Sequence, residues 1–192
     1  MGKIEQKAGK VSFVQSLKDY FIGYVDFKGR TTRAGYWWVT LILSIISFAL
    51  LTSFLTKIIS AIIAISNYES DYDYLLESQL RDVFADSVGL LILLVVLGLA
   101  TFLPTLAMTV RRYRDAGLRG RGTLTIYIIF IICGMTNLSG NNLFFAMLVL
   151  AIDIFFFVLT VLATGSLETT SSNAVLLFFF RKKQTAIELT EE

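Results

Sequence analysis

The sequence predicts an all-α membrane protein: four transmembrane helices preceded by an N-terminal interfacial amphipathic helix. Three observations lead there. Hydrophobic residues make up 55% of the chain and charged residues only 17%, against about a quarter charged in a typical soluble domain. The apolar residues are gathered into runs of membrane-crossing length. The Lys and Arg residues are segregated along the chain. Seven precede the first run, five lie between the second and third, and three follow the fourth. The two remaining connections hold one and none, so the positive-inside rule is met with both termini on the cytoplasmic side.

Residues 1–10 are polar and basic and are expected to be mobile. From Val11, apolar residues recur at three- and four-residue spacing (Val11, Val14, Leu17, Phe21, Tyr24), with Ser12, Gln15, Lys18 and Asp19 on the other face. Such a helix is too polar to span. It is read as lying in the interface with its aromatics at headgroup depth, the competing reading being a helix docked on a soluble partner. Gly29 and Gly35 then allow the chain to turn, and Tyr36, Trp37 and Trp38 form an interfacial belt. The first span runs from about Trp38 to Ile65. Asn67–Asp86, rich in acids and tyrosines, is read as an exposed loop with a short surface helix over Tyr74–Phe84. The second span is Val88–Val110, with Pro104 expected to kink it.

Arg111–Gly122, with five arginines and three glycines, is read as a loop between spans two and three. Thr123–Leu138 is short for a span, yet it must cross if the last basic cluster is to stay inside. Asn142 and its neighbours make a turn before the fourth span, Leu143–Thr164. A polar Ser/Thr linker follows over Gly165–Asn173. The apolar patch Val175–Phe180 is too short to cross and is followed by Arg181, Lys182 and Lys183. The organisation expected is a cytoplasmic N-terminal segment with its amphipathic helix (1–36), a four-helix membrane domain (37–164) and a cytoplasmic tail (165–192).

The chain has no histidine and one cysteine. The commonest general base and metal ligand is therefore missing, and no cysteine cluster can hold a metal. Cys133 is read as a small apolar residue packed in a helix. No nucleophile–base pair, phosphate loop or paired-carboxylate site is apparent, and nothing resembles a cleavable signal peptide. The basic residues are those that topology already requires, which argues against nucleic-acid binding. The expectation is a non-enzymatic protein without cofactor.

The segment Phe27-Lys-Gly-Arg-Thr-Thr-Arg-Ala-Gly-Tyr-Trp-Trp38 resembles the opening motif of the DUF805 family of bacterial inner-membrane proteins. Leu103-Pro104, followed by Val110-Arg-Arg-Tyr-Arg-Asp-Ala-Gly117, resembles that family's second motif. The two stand in the family's order, and the resemblance covers roughly Tyr20 to Tyr127. Arg114 stands where the family usually has histidine, and Gly122-Thr-Leu replaces its Gly-Trp-Trp. The resemblance implies a place, the bacterial cytoplasmic membrane, and a shape. It implies no reaction.

Two groups of charges are candidates for a role. Arg30, Arg33, Arg111, Arg112 and Arg114 form a basic face suited to anionic phospholipid headgroups or another anion. Asp115, the lone acid among the loop arginines, is expected to pair with one of them, Arg30 or Arg33 being favoured. The competing reading is a topogenic loop without specific ligand. Within the spans, Lys57 and Asp153 lie ~12 and ~15 Å along their helices from the outer ends, so an intramembrane pair is expected. The leading functional expectation is an interaction or scaffold protein that engages a membrane or cytoplasmic protein partner or anionic lipid, with self-association left open. The alternative is a small transporter or channel component using Lys57 and Asp153.

Overall fold

The computed structural model of the chain describes residues 4–7, 9–66, 73–138 and 143–183. Residues 67–72, residue 139 with the expected turn at 140–142, and the tail from 184 lie outside the described residues, as do residues 1–3 and 8. The described residues form six helices: α1 (Phe13–Ile22), α2 (Arg33–Ser66), α3 (Asp73–Ala116), α4 (Gly120–Leu138), α5 (Leu143–Val161) and α6 (Ala174–Phe179). Among them, three helical stretches are long and apolar enough to cross a membrane: Arg33–Ile63, Arg81–Ala116 and Leu143–Val161. The apolar stretch of α4, Gly120–Thr136, is shorter. The chain divides into two compact units, Met1–Val39 with Pro104–Glu192, and Thr40–Leu103.

In the Thr40–Leu103 unit α2 and the Val88–Leu103 part of α3 are apolar around nearly their whole circumference, as a segment solvated by lipid must be. Side chains such as Phe48, Ile45, Leu99 and Val96 are exposed. Their hydroxyl residues satisfy themselves: Thr52 Oγ1 donates to the carbonyl of Phe48, Ser53 Oγ to Ala49 and Thr56 Oγ1 to Thr52. With no water in the hydrocarbon, a hydroxyl bonded one turn back leaves no unmet donor. One expectation needs correction here. Residues 73–86 are not loop with a separate short helix; they are the first turns of α3. No Gly or Pro occurs from Asp73 to Val88, and Leu, Glu, Gln and Arg are good helix formers, so nothing stops the helix from continuing. The helix also runs on through Pro104.

The other unit is built on long-range polar bonds. Ser12 caps α1, its Oγ accepting from the Gln15 N–H. The buried residues of α1 are Ser16, Asp19 and Tyr20, while Val14 and Phe21 are 70% and 65% exposed. Its polar side therefore docks on the protein and its apolar side points away. Tyr20 reaches Thr105 of α3 at 2.9 Å; burial raises the Tyr20 hydroxyl above its ordinary value, partly offset by that bond.

Residues 4–6, expected to be mobile, are docked. The Arg30 N–H donates to the Ile4 carbonyl and the Gln6 N–H to the Arg30 carbonyl, making a parallel bridge. Ile4 is buried, and the Gln6 side chain accepts from the Thr32 N–H while donating to Asp19. Asp26 accepts from the N–H groups of Ile4 and Lys28. Burial alone would raise the Asp26 carboxyl. The backbone N–H groups of Ile4, Lys28 and Gly29 and the charge of Arg111 outweigh it and hold the carboxyl below its usual range. Gly29 and Gly35 serve close approach rather than turning. Neither has positive φ. A Cβ on Gly29 would stand 2.2 Å from the Ile4 carbonyl oxygen, and one on Gly35 2.0 Å from Gln6 Oε1.

Arg111–Gly122 is not an open loop. Helix α3 continues to Ala116 and α4 begins at Gly120, leaving a three-residue turn. Gly117 (φ 118°) closes α3, with its N–H bonded to the Arg114 carbonyl and the Leu118 N–H to the Tyr113 carbonyl. This is the pattern in which a left-handed glycine satisfies the last carbonyls of a helix. Arginine is itself a good helix former, so the charges do not oppose it. Below the turn, Tyr113, Tyr127 and Phe156 stack, with ring centroids 5.2 Å apart for Tyr113–Phe156 and 4.6 Å for Tyr127–Phe156. They form the core with Ala116, Leu118 and Leu159.

Candidate functional site

The arginines of the second motif separate into two groups by helical phase. Arg111 and Arg112 face inward and are 1% and 0% exposed. Arg111 Nη1 donates to the Gly23 carbonyl at the end of α1, 2.9 Å away. That approach requires glycine: a Cβ on Gly23 would stand 1.8 Å from the same Nη1. Arg112 is shared among three acceptors. Its Nε donates to the Thr160 carbonyl (3.1 Å), its Nη1 to Asp115 Oδ2 (2.6 Å) and its Nη2 to the Leu162 carbonyl. Thr160 and Leu162 lie at the C-terminal end of α5, where unpaired carbonyls carry partial negative charge and favour a cation. Asp115 also accepts from Thr164 Oγ1 at 2.9 Å. Its direct partner is thus Arg112, three residues back on the same helix, and not Arg30 or Arg33. A second donor reaches the same end of α5, Trp37 Nε1 bonding the Thr160 carbonyl at 3.3 Å.

The second group faces a cleft of about 750 Å³. Six cations line it: Arg30, Arg114, Arg119, Arg181, Lys182 and Lys183. One acid, Glu168, joins them, so the lining carries six positive charges against one negative. Among the described residues none of the six makes a side-chain hydrogen bond or ion pair, and Arg114 Nε is buried without an acceptor. Backbone bonds force these charges together. The Arg119 N–H donates to the Phe179 carbonyl, the Arg181 N–H to Gly117, and Thr169 and Lys183 bond across Arg181 and Lys182. Gly122 lets the C-terminal segment pass, because a Cβ there would stand 2.8 Å from the Phe179 Cα. Burial lowers the Arg181 guanidinium below its ordinary value, and the like charges of Arg30 and Arg114 push the same way; Glu168 and Asp115 oppose them.

The anticipated basic residues therefore have different situations. Arg30 and Arg114 line the cleft, Arg33 is exposed at the start of α2, and Arg111 and Arg112 are inside the fold. Arg119, Arg181, Lys182 and Lys183 were not singled out by sequence. Lys57 lies half-buried on α2 within the Thr40–Leu103 unit, and Asp153 lies exposed on α5 within the other. Cys133 is buried on α4. Among the described residues no group of three or more His, Cys, Asp or Glu is placed to hold a metal.

A family model described as a protein of unknown function, DUF805, matches residues 24–170. The match contains both motifs and runs on through α4 and α5 into the Gly165 segment. No curated protein and no solved structure matches the chain.

Proposed function

The chain belongs to the DUF805 family, and from that premise we propose that it is a non-enzymatic, multi-span protein of the bacterial cytoplasmic membrane that engages a protein partner or anionic lipid at a basic cytoplasmic face. The observation that carries the reading is the cleft. Basic residues needed only to orient spans have no reason to converge, yet six from three separate segments share one lining.

The same geometry favours four spans. Arg112, at the end of α3, bonds the end of α5, and only three residues separate α3 from α4. Whatever depth α5 crosses on its return, α4 must cross on its way out. Its 19 residues rise ~28 Å, close to the hydrocarbon thickness. The N-terminal segment, the α3–α4 turn and Arg181–Lys183 then share the cytoplasmic side. α1 lies along that surface with Val14 and Phe21 toward lipid.

Two measurements test this. Single cysteines on a Cys133→Ser background at Lys28, Ser78 and Lys183 should label from the cytoplasmic, outer and cytoplasmic sides respectively. Labelling of Ser78→Cys from the cytoplasm alone rejects the topology. Phospholipid retained by the purified chain should be enriched in anionic headgroups, or the chain should leave mild detergent extraction in a stable complex with a second protein. Neutral lipid in membrane proportion together with a solitary chain rejects the interaction reading.

A further inference from the structure

We propose that the cleft walled by Arg30, Arg114, Arg119 and Arg181 is a built binding site for a ligand carrying two or more phosphate charges on one group, a diphosphate or a diphosphorylated headgroup. This rests on the reading of a basic, ligand-facing surface given above and names its ligand class.

The charge count comes first. Six cations and one acid leave five positive charges in a space of about 750 Å³. That volume suits a small molecule or a headgroup. A monoanion would leave most of the repulsion standing, whereas a group with three or four negative charges balances most of it. Donor chemistry comes second. Four of the six are guanidiniums, whose planar forks match phosphate oxygens in pairs. Arg114 Nε is a buried donor with no protein acceptor; a ligand oxygen would relieve the desolvation penalty of leaving it unmet. Arg111 and Arg112 show what the fold does with an arginine it uses internally: each guanidinium bonds at least one backbone carbonyl, although Arg111 Nε, like Arg114 Nε, has no acceptor. The cleft arginines have been given no such acceptors among the described residues.

Backbone comes third. α4 begins at Gly120 on the cleft wall, so its first N–H groups add to the positive potential. A Cβ on Gly120 would meet only Arg114 Nη1, at 3.8 Å, so that wall is open to a ligand. Finally, the site is preorganised. The backbone bonds of Arg119 and Arg181 fix the cations in place before any anion arrives, so their mutual repulsion is relieved on binding rather than created by it.

The test uses the full chain in neutral detergent, with thermal unfolding followed through Trp37 and Trp38. The probes are inorganic pyrophosphate and cardiolipin in mixed micelles, against sulfate at matched ionic strength and phosphatidylcholine. Pyrophosphate, cardiolipin or both should raise the unfolding midpoint in a saturable way. The double variant Arg114→Gln/Arg181→Gln should bind at least about tenfold more weakly, the loss of one charged hydrogen bond being worth roughly that factor. Arg121→Gln, an exposed residue outside the lining, should bind as the wild type does. Should the double variant fail to fold, Arg114→Lys keeps the charge, removes the fork and should still weaken binding. Stabilisation by cardiolipin alone assigns the phosphates to lipid, by pyrophosphate alone to a soluble compound, and competition between them to one site serving both. Equal effects of sulfate and pyrophosphate, or equal binding by the double variant, overturn the proposal. If anionic lipid still co-purifies in both wild type and double variant, the basic-face reading survives that failure; if neither retains it and no protein complex is found, both fall.

Discussion

The Thr40–Leu103 unit and the unit formed by Met1–Val39 and Pro104–Glu192 solve opposite problems with polar groups. In the first, a hydroxyl bonds the carbonyl one turn back on its own helix, as at Thr52, Thr56 and Ser87. In the second, bonds join residues far apart in the chain: Tyr20 to Thr105, Arg111 to Gly23, Arg112 to Leu162. Their glycines differ likewise. A Cβ on Gly89 or Gly98 meets nothing within 4 Å, whereas one on Gly23, Gly29 or Gly35 would strike an atom at 2.2 Å or less. A helix solvated by lipid must be self-sufficient and tolerates change; a cap made of mutually dependent segments does not.

The comparison breaks most readily at Arg112. Arg112→Met strands Asp115 at a buried site, frees the Leu162 carbonyl and leaves that of Thr160 to Trp37 alone, and is expected to cost about 3–5 kcal/mol in thermal unfolding in detergent. Adding Asp115→Leu should recover part of that loss, since neither charge is then left alone. A cost near that of a substitution at an exposed position of the Thr40–Leu103 unit would erase the distinction between the units.

A paired glycine experiment sharpens it. Gly29→Ala forces the Ile4 carbonyl away and should destabilise by about 1–3 kcal/mol, as overpacking does. Gly98→Ala, in open surroundings within a helix, should be neutral or stabilise by roughly 0.5–1 kcal/mol. Equal effects of the two in the same melting assay would show that the N-terminal segment is not docked on Gly29.

The smallest expected effect is a pH dependence confined to the cap. The folded Asp26 carboxyl lies below its usual range. Its contribution is therefore present above the ordinary aspartate range and is lost as pH falls from about 4 through the folded value. The protection of the Ile4 amide, measured against its intrinsic exchange rate at each pH, should fall over that window. Asp26→Asn should remove the dependence there and leave the amides of the Thr40–Leu103 helices unchanged.

How legible this was from sequence follows the same division. The long apolar runs announced the helices, because lipid selects on composition over some twenty residues and needs no knowledge of partners. The fate of the arginines was not readable in that way. Arg112 and Arg114 are the same residue type two places apart, and only the rotation of α3 against α5 turns one inward and one toward the cleft. The i,i+3 spacing of Arg112 and Asp115 was a visible signal for their pairing. The bridge between Ile4–Gln6 and Arg30 had none, since backbone bonds carry no side-chain pattern. Arg181–Lys183 looked like a topogenic cluster until the backbone of Gly117 and Thr169 gave it neighbours.

The cleft also has a birth order. Arg30, Arg114 and Arg119 are synthesised before α5, while Arg181, Lys182 and Lys183 emerge only after it. A nascent chain that has threaded its apolar helices holds half the cations of the lining, and the other half arrive when Phe179–Lys183 is laid against Gly117 and Thr169. Capture of the anion proposed above is thereby tied to the docking of that segment. A chain clipped before Phe179 would face the proposed anion with three of the six cations, and so would compete poorly with one that has the segment in place.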